Sequence, residues 1–102
     1  MQIITRGLPD GYFETDKQKS RIEPIKYLRA LKEDAEYFVI FSSLEGLHKE
    51  VFENFRFDSA ISAGYIEQED MICYGESTSL FVSSKKTEDT KIFRDWVKEQ
   101  RI

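Results

Sequence analysis

His48 is the only histidine in this chain of 102 residues, and histidine is the side chain best suited to proton transfer near neutral pH. It lies in the stretch LEGLHKEVFENF (44–55). Helical spacing recurs among the apolar residues there, which together with His48 are Leu44, Leu47, Val51, Phe52 and Phe55. The pattern predicts an amphipathic helix with the imidazole on its apolar face.

Two interpretations of His48 follow from this position. In the first, the imidazole is a partly buried structural group whose ring nitrogen meets a backbone carbonyl. In the second, burial and the nearby helix N-terminus keep the imidazole neutral, as a nucleophile or general base requires. The sequence leaves both open.

A second polar cluster occurs in the segment YGESTS, which contains Ser77, Thr78 and Ser79. These hydroxyls and the free N–H groups at the start of the His48 helix would together make an anion pocket. Alternatively, GEST is a hairpin turn selected for its glycine and small polar residues.

The chain resembles the phosphohistidine phosphatase (Janus/ocnus) family over about residues 36–84, through LHKEVFENF, the strand SAGYI and the segment YGES. The resemblance implies that His48 is catalytic and that the backbone N–H of Lys49 holds phosphate. It also places Tyr74, Gly75 and Ser77 on the family's Y-G-x-S positions, with Ser79 as a second loop residue.

Two departures from the family remove positive charge. Tyr65 stands where the family's GGGRI element carries an arginine, and the acidic region 34–36 replaces a lysine. Phosphoryl transfer depends on fixed cations and N–H dipoles. We therefore expect a non-enzymatic binding or accessory module, of a microbe or phage, with an anion or ligand pocket between the His48 helix and the GEST turn. The alternative is a His-dependent phosphohydrolase.

Composition and net charge restrict the kinds of partner that we expect this protein to bind. The net charge of −4 and a single adjacent lysine pair, Lys85 and Lys86, argue against nucleic-acid binding, and known motifs for metals or cofactors are absent from the sequence. We expect a small anionic ligand or a protein partner, no metal, no cofactor, and a monomer or weak homodimer. The lone Cys73 and the lack of a signal-like or membrane-spanning run predict a cytoplasmic protein.

The secondary structure that must position these residues is predicted from periodicity and turn signals. Helices are expected at about Arg21–Asp34, with a Ser20–Glu23 capping box, in the His48 segment, with a Ser42–Glu45 box, and in 87–102. Strands are expected within 1–6, at Tyr37–Phe41, and in 59–66, 71–74 and 79–83. The result is one α+β domain (1–102): about three helices on a mostly antiparallel sheet, with a central strand and a C-terminal three-strand meander.

Overall fold

A mixed five-stranded sheet organises the protein. The structure is a computed structural model that describes residues 1–14 and 21–102. The strands are β1 (Gln2–Arg6), β2 (Ile25–Lys32), β3 (Ala35–Ser42), β4 (Ser59–Glu67) and β5 (Ile72–Tyr74), in the spatial order β1-β3-β2-β4-β5. β1 runs parallel to β3, while the other neighbours are antiparallel. The α+β class is confirmed, but the sheet contains a parallel pair.

The helix predicted at Arg21–Asp34 is wrong, because this segment forms the central strand β2. β2 pairs with β3 on one side and β4 on the other, and Tyr27, Leu28 and Ala30 are fully buried. A strand covered on both faces is apolar on both, and its apolar residues then also fit a helical spacing. The proposed capping residue Ser20 lies outside the described residues.

The turn between β2 and β3 contains only Glu33 and Asp34, both with positive φ (50° and 65°). Two consecutive residues in this conformation are typical of the tight turns that join antiparallel strands, where asparagine and glycine are the usual residues. The acidic pair therefore gave no recognisable hairpin signal, and this contributed to the wrong helix prediction.

The described residues contain two α-helices rather than about three. α1 (His48–Asn54) follows a short 3-10 helix at Ser43–Glu45, and α2 (Lys86–Gln100) is the predicted C-terminal helix. The Ser42–Glu45 capping box is wrong, because the Ser42 side chain makes no capping bond to the described residues. Instead, the N–H of Leu47 donates to the Glu50 carboxylate at 3.0 Å.

The two helices cover opposite faces of the sheet, because successive strand residues point to alternate faces. On the α2 side, Phe38 and Ile40 pack with the buried helix residues Phe93 and Val97. On the α1 side, Val39 and Phe41 pack with Val51. The sheet thus separates two apolar cores that share its central strands.

The predicted C-terminal meander is correct in its first two strands, since β5 pairs antiparallel with β4. The third strand, expected at 79–83, forms only at Val82–Ser83 and does not join the meander. After Gly75, whose φ is 85°, the chain forms a separate hairpin of β6 (Glu76–Ser77) and β7 (Val82–Ser83). This hairpin contacts β4 and brings its turn toward α1.

Candidate functional site

His48 is the first residue of α1 and lies inside the α1-side core, with 3% of its surface exposed. Its Nε2 is 2.9 Å from the carbonyl oxygen of Gly64 on β4. A carbonyl only accepts hydrogen bonds, so Nε2 carries the proton. The ring lies between Phe41 and Tyr65, in edge-to-face contacts with centroid separations of 5.5 and 5.8 Å.

Burial lowers the pKa of His48 below its ordinary value. The Gly64 carbonyl opposes this shift, and the nearby charge of Lys26 adds to it. The imidazole is therefore neutral at physiological pH, enclosed by aromatic rings, and its Nε2 is occupied by a backbone bond. These are the properties of a core histidine, and they give no support to a role in catalysis, which stays a prediction.

The structure brings Lys49, Ser77 and Ser79 together. The Lys49 N–H donates to Ser79 Oγ at 3.1 Å, and Ser79 Oγ is 3.3 Å from Ser77 Oγ. Ser77 is 2% exposed, and its hydroxyl accepts from the N–H of Leu80 at 3.2 Å. Thr78 is exposed in the same turn. These bonds join α1 to the hairpin, so an anion could reach the Lys49 N–H only by displacing Ser79.

The charges around the start of α1 also disfavour an anion. The Glu50 carboxylate already occupies the electropositive end of this seven-residue helix, through its bond from the Leu47 N–H. Lys49 Nζ lies 3.9 Å from the Glu53 carboxylate, and Lys26 Nζ donates to the Gly46 carbonyl at 3.1 Å. The nearby cations are therefore engaged with neighbouring groups.

A groove that the sequence analysis did not anticipate lies at the ends of β2, β4 and β5. It encloses about 370 Å³ and is lined by Glu23, Pro24, Ile25, Tyr65, Ile66, Glu67 and Tyr74. We call it the tyrosine groove. Tyr65 and Tyr74 are cross-strand partners in the β4–β5 register, and their ring centroids are 6.1 Å apart. The signal available in the sequence was the position of these tyrosines on either side of the EQED turn, which makes them cross-strand partners.

Glycines permit this arrangement. A side chain at Gly75 would place its Cβ 3.2 Å from the Tyr65 ring, and Gly75 also has a positive φ. A Cβ at Gly64 would overlap the carbonyl oxygen of Tyr74. The close approach of β5 to β4, and with it the tyrosine pair, therefore depends on the missing side chains.

The charged residues that line the tyrosine groove are acidic, and Lys26, the cross-strand neighbour of Tyr65 on β2, lies outside the lining and donates to the Gly46 carbonyl at 3.1 Å. Glu23 and Glu67 contribute carboxylates, and the described residues that line the groove include no lysine, arginine or histidine. The Glu67 carboxylate is held in place because it accepts the N–H groups of Glu69 and Asp70 at 3.1 and 2.7 Å. Aromatic faces beside fixed carboxylates attract cations.

A buried polar network on the α2 side was also missed by the sequence analysis. Asp89 is fully buried and accepts hydrogen bonds from the Tyr27 hydroxyl at 2.6 Å and the Lys85 N–H at 2.9 Å. Arg29 lies 3.3 Å from Asp89 and 3.0 Å from Glu36. Burial and the Asp89 carboxylate both raise the pKa of Tyr27, so the phenol stays protonated. The network fixes α2 to the sheet.

Among the residues that the structure describes, no cluster of three or more metal-ligating side chains is found. None of the helices in the described part of the chain is long and apolar enough to span a bilayer.

Comparison with protein-family models, curated proteins and solved structures gave no match to this chain. The resemblance to phosphohistidine phosphatases therefore rests on its motif residues alone.

Proposed function

We propose that this protein is a non-enzymatic binding module and that its tyrosine groove takes a cationic side chain, the ammonium of lysine or the guanidinium of arginine. The observation that carries the proposal is the lining of the groove, in which Tyr65 and Tyr74 lie beside the carboxylates of Glu23 and Glu67. A ring face and a carboxylate stabilise the same cation in complementary ways.

The dimensions of the groove suit such a ligand. Its volume of about 370 Å³ lies at the lower end of the range for small-ligand sites. Tyr74 is 44% exposed, so one ring is accessible from solvent while Tyr65 forms the inner wall. Arginine has the better match, because its planar guanidinium stacks on aromatic rings and pairs with carboxylates through two N–H groups.

His48 supports this groove as a positioning residue. Its ring packs edge-on against Tyr65, and its Nε2–H holds the Gly64 carbonyl immediately before Tyr65 in β4. The phosphohydrolase alternative requires an accessible imidazole and cations for the phosphoryl group. Because His48 is enclosed and Tyr65 stands where the arginine was expected, the geometry favours binding over catalysis, and a cationic ligand over the anionic ligand expected from the sequence.

The proposal is tested by NMR titration with acetyl-arginine amide, using acetyl-glutamate amide as the matched ligand control. We expect the amides of Tyr65, Glu67 and Tyr74 to shift with arginine only, with a Kd on the order of 1 mM, equal to about 4 kcal/mol. Added salt should weaken the binding, because both carboxylates are near the surface.

Two substitutions at one exposed position separate the ring from its hydroxyl. Tyr74→Phe keeps the aromatic face and should bind like the wild type, whereas Tyr74→Ser should weaken binding by roughly fivefold, from about 1 kcal/mol of cation–π attraction. Equal responses to the arginine and glutamate ligands, or equal binding by both variants, would show that the groove is not a cation site.

A further inference from the structure

Three large apolar side chains are exposed beside the start of α1. Leu44 is 88% exposed, Leu47 is 53% exposed and Phe81 is 95% exposed. Leu44 lies in the 3-10 helix, Leu47 precedes α1 as its N-cap, and Phe81 ends the turn of the β6–β7 hairpin. We call these three residues the apolar surface.

The local backbone conformation does not explain the presence of Phe81 and Leu47 at their positions. Phe81 has a φ of 55°, a conformation in which glycine and asparagine are the ordinary residues. Helix N-caps such as Leu47 prefer serine, threonine, aspartate or asparagine, whose side chains accept a backbone N–H. Phe81 therefore has a strained backbone conformation, and Leu47 occupies a cap position in which its side chain cannot accept a hydrogen bond. Neither side chain is buried, so packing does not offset these costs.

The hydrogen bond from the Lys49 N–H to Ser79 Oγ joins the segments that carry Leu47 and Phe81, and Leu44 lies three residues before Leu47 in the chain. Leu47 is two residues before Lys49, and Phe81 is two residues after Ser79. Two residues of chain on each side, with the bond between them, limit the separation of Leu47 and Phe81 to roughly 20 Å. A peptide of moderate length can contact both.

We propose that the apolar surface docks a peptide segment of another protein, an inference that rests on the proposed function. This segment carries large apolar side chains in addition to the basic side chain held in the tyrosine groove. The two features are continuous along the chain, since only Gly75 and Glu76 separate Tyr74 of the groove from the buried Ser77 of the hairpin. Apolar anchors beside a charged groove are typical of peptide recognition.

Charge favours a basic segment. The carboxylates of Glu45, Glu50 and Glu76 are exposed along this part of the surface. Of the cations here, Lys49 faces Glu53 and Lys26 donates to the Gly46 carbonyl. A partner with lysine or arginine near its apolar side chains therefore meets complementary charge.

The apolar surface is too small for a stable dimer. A phenylalanine and two leucines offer on the order of 400 Å², about half of what each partner buries in a standard protein–protein interface. A two-fold dimer would also bring Glu45 and Glu50 of both copies into one interface. A peptide segment needs neither the area nor the symmetry.

The test uses fluorescent peptides in a Gly-Ser background that carry one arginine and a Leu-Phe pair, separated by every spacing that roughly 20 Å of extended chain allows. The Ser84 N–H donates to the Gly75 carbonyl at 2.9 Å, which limits the distance from Tyr74 of the groove to Phe81 to about that length. The reference peptide carries the arginine alone. We expect at least one spacing to bind about tenfold more tightly than the reference, as measured by anisotropy, and Phe81→Asn to remove that gain. Asparagine tolerates positive φ, so this variant keeps the turn, and Thr78→Ala serves as an exposed control in the same turn.

The outcomes separate the two proposals. If no spacing improves on the arginine peptide, or if Phe81→Asn keeps the gain, the apolar docking site is refuted while the groove stands. If peptides without arginine bind equally well and still depend on Phe81, the docking site is supported and the cation groove fails. A wild-type dimer that Phe81→Asn dissociates would identify a second copy as the occupant and refute the peptide proposal.

Discussion

Replacing His48 with alanine distinguishes a core imidazole from a catalytic one. The substitution removes a ring that is 3% exposed, together with its contacts to Phe41 and Tyr65 and its hydrogen bond to the Gly64 carbonyl. A catalytic histidine at an open site would leave stability nearly unchanged. The loss of a core histidine must instead destabilise the fold.

The magnitude follows from these contacts. Truncating the buried ring costs roughly 2 kcal/mol, at the low end for large-to-small core substitutions, and the lost hydrogen bond adds about 1 kcal/mol. For a domain of this size each kcal/mol lowers Tm by roughly 4–8 °C, so His48→Ala should lower Tm by about 12–24 °C. His48→Phe keeps an aromatic ring, although a somewhat larger one, and should cost only about 1–2 kcal/mol, from the carbonyl left without its donor and from the added ring volume.

The assay is thermal unfolding followed by circular dichroism, with urea unfolding to give the free energy directly. Phosphohistidine hydrolysis is measured on the same samples. The order wild type, His48→Phe, His48→Ala in decreasing Tm is expected, with no hydrolysis to lose. If His48→Ala retains the wild-type Tm within about 3 °C, less than 1 kcal/mol by this scale, and abolishes a measurable hydrolysis, then the binding-module proposal is wrong.

Two further predictions concern buried ionisable groups. The pKa of His48 is lowered in the folded state, so as the pH falls the unfolded chain binds a proton before the folded protein does. The contribution of His48 to stability should therefore be complete above the ordinary pKa of 6.5 and decrease below it, by at most about 1.4 kcal/mol per pH unit. Urea unfolding at a series of pH values measures this dependence, and His48→Phe should make it flatter. On the other face, Asp89→Ala should cost roughly 3–5 kcal/mol by leaving Arg29 and Tyr27 without their buried partner. Asp95→Ala, an exposed carboxylate of the same helix paired with Lys91, should leave Tm at the wild-type value, and equal losses for the two variants would contradict a structural role for the network.

The parts of the fold that were predicted are those whose local pattern fits only one kind of element, a continuous aromatic and β-branched run in β3 and a helical apolar stripe in α2. Both elements were found, because no charged residue interrupts Tyr37–Phe41 in β3 and the apolar residues of α2 share one helical face. β2 failed because a strand buried on both faces has no polar alternation, and its apolar residues happen to recur every three positions. Only the pairing with β3 and β4, which is not local in sequence, decides between the two structures.

The candidate site shows the same limit. The sequence predicted that the His48 helix and the GEST turn meet, and the Lys49–Ser79 hydrogen bond joins them. It did not predict the separate hairpin, the Tyr65–Tyr74 groove or the Asp89 network, since each depends on register between strands or on contacts over more than 50 residues. The exposure of Leu44 and Leu47 was unexpected too, because their spacing matched a buried helical face and only the short length of α1 leaves them outside it.

The position of β1 at the sheet edge has a consequence for how the chain folds. β1 precedes β2 and β3 in the chain, but its neighbour in the sheet is β3, about thirty residues later, and the pairing is parallel. β2 and β3, by contrast, are joined by a two-residue turn and form first with little loop entropy to overcome. We therefore expect β1 to join late in folding, and its amide protons to exchange with solvent sooner than those of β2, which lies between two partners.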